Sequence, residues 1–115
     1  MTKSPASDAD VIDRLYEVIE SRRTSDPAAS YTARMFDKGL NKIAQKVGEE
    51  ATETVIAAIA EKREHLIAES ADLLYHLVLL WAAKGVRPAE VFAELAERAK
   101  PQWKMPGGKA GKPQR

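Results

Sequence analysis

Apolar positions recur at helical spacing along most of this chain, and the alternation expected of strands is missing. Val11, Leu15, Val18 and Ile19 mark a first stripe, predicting a helix from Asp8 or Asp10 to about Arg22 that Thr24-Ser25-Asp26-Pro27 breaks. Ser30 is a good N-cap for a short helix over Tyr31 to Lys38, which Gly39 ends or kinks. Leu40, Ile43, Ala44, Val47, Ala51, Thr54, Val55 and Ala58 share a face of a second major helix running to about Glu61, with a seam of small residues suited to close packing. A third runs from about Arg63 to Lys84, stopped by Gly85. Pro88 fits the first turn of a fourth, which carries Val91, Phe92, Leu95 and Ala96 to about Ala99. The expected fold is therefore all-α, a helical bundle of about four to five helices.

The third helix changes character in its second half, because Leu73-Leu74-Tyr75-His76-Leu77-Val78-Leu79-Leu80-Trp81 is apolar nearly all round. A surface helix in a small domain carries a polar face, so this helix must be covered on most sides. Four helices from one short chain struggle to do that, and a homodimer with an isologous, mainly apolar interface is the economical solution over a monomer with a central helix. After Lys100 the pattern ends. Pro101, Pro106, Gly107, Gly108, Gly111 and Pro113, interspersed with Lys and Arg, read as a flexible basic tail, giving a domain over 1–99 and a tail over 100–115.

Bulk composition narrows the function classes. The chain has 115 residues, 44% hydrophobic and 30% charged, which fits one compact domain. Eighteen Lys+Arg against 17 Asp+Glu leave no global basic field that would call for nucleic acid. The absence of cysteine excludes disulfides and thiolate metal sites and fits a cytoplasmic protein. Met1 to Ala9 lacks the apolar region of a signal peptide, and the apolar run Leu73 to Ala83, interrupted by His76, is shorter than the roughly 20 residues that span a bilayer, so no membrane is expected.

The candidate chemistry lies in two carboxylate pairs at i,i+3 spacing, Glu50/Glu53 and Glu69/Asp72, each bordering the apolar face of its helix. Acids gathered at the edge of a core repel one another unless a cation neutralises them. Lys42, Lys46, Glu49, Glu50 and Glu53 form one polar stripe on the second major helix, and Glu69, Asp72 and His76 form a matching stripe on the third. Packed antiparallel through the tight Glu61–Arg63 connection, the two stripes face each other across a groove. Hard oxygen ligands suit Mg²⁺ or Mn²⁺, which also bind substrate phosphates, and the lysines then serve as phosphate contacts. A solvated charged face shows similar spacings, and pattern alone leaves both readings open. A di-iron bundle needs Glu-x-x-His, but Lys62 and Leu73 stand three residues before His65 and His76. His76 fits a packed core histidine better than a proton-transfer group, His65 an exposed one, and Trp81 a core or interface residue.

Ser30-Tyr31-Thr32, Lys42-Ile43-Ala44-Gln45-Lys46-Val47-Gly48-Glu49-Glu50-Ala51-Thr52-Glu53 and Glu69-Ser70-Ala71-Asp72-Leu73-Leu74-Tyr75-His76 closely resemble the phosphoribosyl-ATP pyrophosphatase family of histidine biosynthesis. That family belongs to the all-α nucleoside triphosphate pyrophosphatases, marked by Glu-Glu-x-x-Glu and, on the next helix, Glu-x-x-Asp. The similarity runs from about Val11 to Arg98. It implies hydrolysis of phosphoribosyl-ATP to phosphoribosyl-AMP and pyrophosphate, with Glu50, Glu53, Glu69 and Asp72 as metal-binding acids and Glu49 as a further ligand or water-orienting base. It also implies Lys42 and Lys46 as phosphate contacts, joined by Lys38 or Arg34, and a bundle assembled by dimerisation. The chain is too short for the fused cyclohydrolase domain of some relatives and looks like the stand-alone form. A housekeeping nucleoside triphosphate pyrophosphatase and a non-catalytic helical dimerisation module are the alternatives.

Overall fold

The computed structural model describes residues 8–106. Among them a short 3-10 turn, Asp8–Asp10, leads into five helices: α1 (Val11–Ser21), α2 (Tyr31–Lys38), α3 (Leu40–Ala60), α4 (Arg63–Lys84) and α5 (Pro88–Arg98). The all-α expectation holds, and so do the helix limits to within a residue or two. Most of the expected tail, 107–115, lies outside the described residues.

Local chemistry sets the joints. The Ser30 side chain accepts the Ala33 N–H at 3.1 Å, capping α2. Gly39 has φ 101° and ψ 175°, a conformation open essentially to glycine alone. Its N–H closes α2 on the Met35 carbonyl, and its own carbonyl accepts the Ile43 N–H to open α3, so one residue serves as hinge for both helices. Gly85, at φ 73°, ends α4 in a Schellman arrangement: Val86 N–H reaches the Trp81 carbonyl at 2.9 Å and Gly85 N–H the Ala82 carbonyl at 3.2 Å. Pro88 opens α5, where the Glu90 carboxylate accepts the Arg87 N–H at 2.9 Å.

The core lies at one end of the molecule. Ile19, Ile43, Val78 and Leu79 are fully buried, joined by Tyr16, Met35 and Ala82, where α1 and α2 meet the start of α3 and the second half of α4. Arg23 secures this junction: its guanidinium lies 4.2 Å from the Phe36 ring centroid, pairs with Glu20 at 3.2 Å and donates to the Ala82 carbonyl at 2.7 Å. The other ends of α3 and α4 form an antiparallel arm through the Glu61-Lys62 connection. A radius of gyration of 16.7 Å, against about 13 Å for a compact 100-residue domain, reflects that extension.

Two expectations change. The covered face of α3 is Ile43, Val47, Glu50, Thr54 and Ala57, a four-three spacing in which Glu50 occupies the seam instead of bordering it. Leu40, Ala44, Val55 and Ala58, expected on that face, are exposed, because α4 covers a single stripe of α3. In addition, α4 as a whole is long and apolar enough to cross a membrane, by length and composition. Asp72 sits near the midpoint of this helix, where an aspartate costs about 2.5–3.5 kcal/mol in a bilayer. That cost favours protein over lipid as the cover for α4.

Leu79→Ala is expected to lower unfolding free energy by about 2–5 kcal/mol, read from urea denaturation, because the core at the α1–α4 junction cannot collapse around the lost side chain.

Candidate active site

The acids meet where α3 and α4 leave the core and begin the arm. Carboxylate oxygens of Glu50, Glu69 and Asp72 all lie within 4.8 Å of one another, close enough for one divalent cation to touch all three. Glu50 is buried, Glu69 half-buried and Asp72 exposed, so the cluster runs from the seam outward to solvent. Oε1 of Glu50 and Oε1 of Glu69 are both shielded from water with no hydrogen-bond partner. Buried acceptors left unpaired are costly, and hard oxygen donors of this kind are what Mg²⁺ or Mn²⁺ bind. The residues fit such a cation.

Burial raises the pKa of Glu69 above the ordinary glutamate value, a carboxyl–carboxyl hydrogen bond with Glu53 adds to it, and the Glu53, Asp72 and Glu50 charges push it further. Glu53 thus acts on the cluster while its own carboxylate lies outside the three-acid set. Thr54, expected only as an apolar-face residue, locks the two helices at this level. Its hydroxyl donates to the Glu50 carbonyl at 2.7 Å and lies 3.2 Å from the Glu69 carbonyl.

Lys46 lies beside the cluster, with Nζ 3.2 Å from Glu49 and 3.6 Å from Glu50. Its bond to Glu49 raises its pKa, keeping the ammonium charged. Glu49 is held below its ordinary value by hydrogen bonds from Gln45 and then Lys46, and stays ionised beside the cluster without joining it. Lys42 lies on the same stripe, half-buried, and its charge helps lower Glu49. Lys38 is exposed at the end of α2. Arg34 donates to the Pro27 carbonyl at 2.7 Å and sits 5.7 Å from the Tyr31 ring centroid, so it lies at the site's border.

His76 is the packed core histidine that the sequence favours, buried and hydrogen-bonded through both ring nitrogens. Its Nδ1 lies 2.8 Å from the Asp72 carbonyl, which can only accept; Nδ1 therefore carries the proton and Nε2 accepts from the Tyr31 hydroxyl at 2.7 Å. The Thr32 and Tyr75 hydroxyls bond beside them. The Tyr31–His76 and Thr32–Tyr75 bonds clasp α2 onto α4 one turn past the acids. The sequence placed His76 on the acids' stripe as a core residue, but its bond to Tyr31 had no signal beyond the pairing of the Ser-Tyr-Thr and Tyr-His blocks.

The family model described as phosphoribosyl-ATP pyrophosphohydrolase matches residues 12–99, which includes every acid of the cluster. The chain belongs to this family. A phosphoribosyl-ATP pyrophosphatase from Paramagnetospirillum magneticum is 57% identical over 93 residues, covering 81% of this chain and 85% of that relative. One from Rhodospirillum rubrum is 55% identical over 95 residues, covering 83% and 81%. A phosphoribosyl-ATP pyrophosphatase 2 from Rhodopseudomonas palustris is 49% identical over 108 residues, covering 91% and 82%.

The raised Glu69 pKa sets a pH dependence. The folded carboxyl holds its proton to higher pH than the unfolded one, so the folded state loses stability as pH rises from the ordinary glutamate value through the raised one. In chelator, Glu69→Gln is expected to flatten that part of the wild-type slope and to melt higher at pH 7. Added Mg²⁺ should raise the wild-type melting temperature and move the variant much less. Thermal melts from about pH 5 to about pH 7.5, the span above the ordinary glutamate value, read both effects.

Proposed function

We propose that this chain hydrolyses phosphoribosyl-ATP between its α and β phosphates, releasing phosphoribosyl-AMP and pyrophosphate. The observation that carries the reading is the pair of shielded, unpartnered oxygens on Glu50 and Glu69, brought together with Asp72 inside the segment that matches the family. Glu50, Glu69 and Asp72 would hold Mg²⁺, or Mn²⁺ in its place, with Glu53 joining from the edge. A cation bound there neutralises triphosphate charge and makes a bound water more acidic. Lys46 and Lys42 line the same stripe and would steady the phosphates, with Lys38 and Arg34 nearer the border. Glu49, ionised and anchored by Gln45, keeps Lys46 in place and is available to orient the attacking water. Phosphoryl chemistry of this kind needs positioning and charge more than a covalent nucleophile.

The working form in this reading is a cytoplasmic homodimer. Val55, Ile56, Ile59, Ile67 and Leu74 are exposed along the arm, Ile59 at 81%. An apolar surface of that extent marks an interaction site, and a second copy of the same arm would cover it isologously.

Two measurements test these statements. Pyrophosphate release should be fastest from phosphoribosyl-ATP across a panel that includes ATP and deoxynucleotides, and Glu50→Gln or Asp72→Asn should lower it by about 100-fold or more, given that even outer partners of a metal site cost about 10–100-fold. Faster turnover of a free deoxynucleotide would sink the assignment. Separately, light scattering should find wild type dimeric and Ile56→Glu/Ile59→Glu monomeric; a monomeric wild type rejects the dimer.

A further inference from the structure

Tyr31 is 39% exposed, yet its ring is anchored as if its position mattered. The hydroxyl donates to His76, whose ring meets it edge-on at 83° with centroids 5.7 Å apart, and the Tyr75 ring leans against it at 6.2 Å. His76 is in turn fixed by the Asp72 carbonyl. A surface tyrosine has no need of such support. Its place is also specific, since Asp72 and His76 are four residues apart on α4, just over one helical turn or roughly 6 Å. The Tyr31 hydroxyl reaches His76 at 2.7 Å and His76 reaches the Asp72 carbonyl at 2.8 Å, which sets the ring beside the stretch of α4 that carries the acids.

We infer that the exposed surface of Tyr31 receives the adenine ring of the bound nucleotide while the acids engage its phosphates. The inference rests on the proposed function. A ribose separates a base from its α-phosphate by a distance comparable to one helical turn, so a nucleotide with its phosphates at Glu50 and Asp72 brings its base to Tyr31. Every purine has a face for stacking, and a pre-ordered ring gains contact at small entropic cost. The Arg34 guanidinium lies over the Tyr31 ring, 5.7 Å from its centroid, and moves aside to flank the base when the ring receives it.

Calorimetry with Mg²⁺ and either α,β-methylene-ATP or inorganic tripolyphosphate tests this without turnover. Wild type is expected to bind the nucleotide about tenfold more tightly than tripolyphosphate, the scale of one base stacked on an aromatic ring. Tyr31→Leu should erase that margin and Tyr31→Phe should keep it, with tripolyphosphate affinity the same in all three. The inference is overturned by no margin in wild type, by a margin that survives in Tyr31→Leu, by equal loss in Tyr31→Phe, or by parallel weakening of both ligands. A wild type that keeps the margin but does not hydrolyse phosphoribosyl-ATP rejects the proposed reaction and leaves the base site standing.

Discussion

Two carboxylates at a helix–helix seam are the constraint on which the rest of this structure depends. Glu50 takes a position in α3 that a small apolar residue would fill in an ordinary antiparallel pair, and Glu69 approaches it from α4. Each has a shielded oxygen with no partner. Like charges at this separation oppose the packing that places them there. Lys46 offsets part of that repulsion from one side only. The seam therefore holds together because other contacts force it, and it is left ready for positive charge.

Those contacts lie on either side of the acids. Toward the core, Ile43 and Leu79 are buried, and Arg23 binds the end of α1 to the end of α4. At the level of the acids, Thr54 reaches carbonyls of both helices. One turn away, the Tyr31–His76 and Thr32–Tyr75 bonds hold α2 against α4. Gly39 makes that last contact possible, because a residue with a side chain could not turn the chain from α2 into α3 at its backbone angles.

Much of this was legible in the sequence. Ser30, Gly39, Gly85 and Pro88 are local signals whose chemistry acts within a few residues, and the helices begin and end where they indicate. The i,i+3 acid pairs and the short α3–α4 connection were enough to bring Glu50, Glu69 and Asp72 together. The seam itself was harder to read. Helical periodicity put Ala44, Val55 and Ala58 on the covered face of α3, but which of two neighbouring stripes is covered depends on the partner helix, not on α3. The Tyr31–His76 bond joins residues 45 apart, and no spacing rule connects them.

The distribution of apolar surface follows from the same constraint. A chain of this size has enough apolar residues for one good core, and it places that core at the α1–α4 junction, away from the acids. The arm is then stabilised within the chain by a single stripe that includes two carboxylates, which is a weak basis for a stable helix pair. Its outer face compensates by being apolar where a surface would be polar, with Ile56, Ile59 and Ile67 open to solvent. In the proposed dimer, burial of that face would supply the free energy that the acid-bearing seam lacks. Association and metal binding would then support the same two helices from opposite sides, so loss of either should loosen the other.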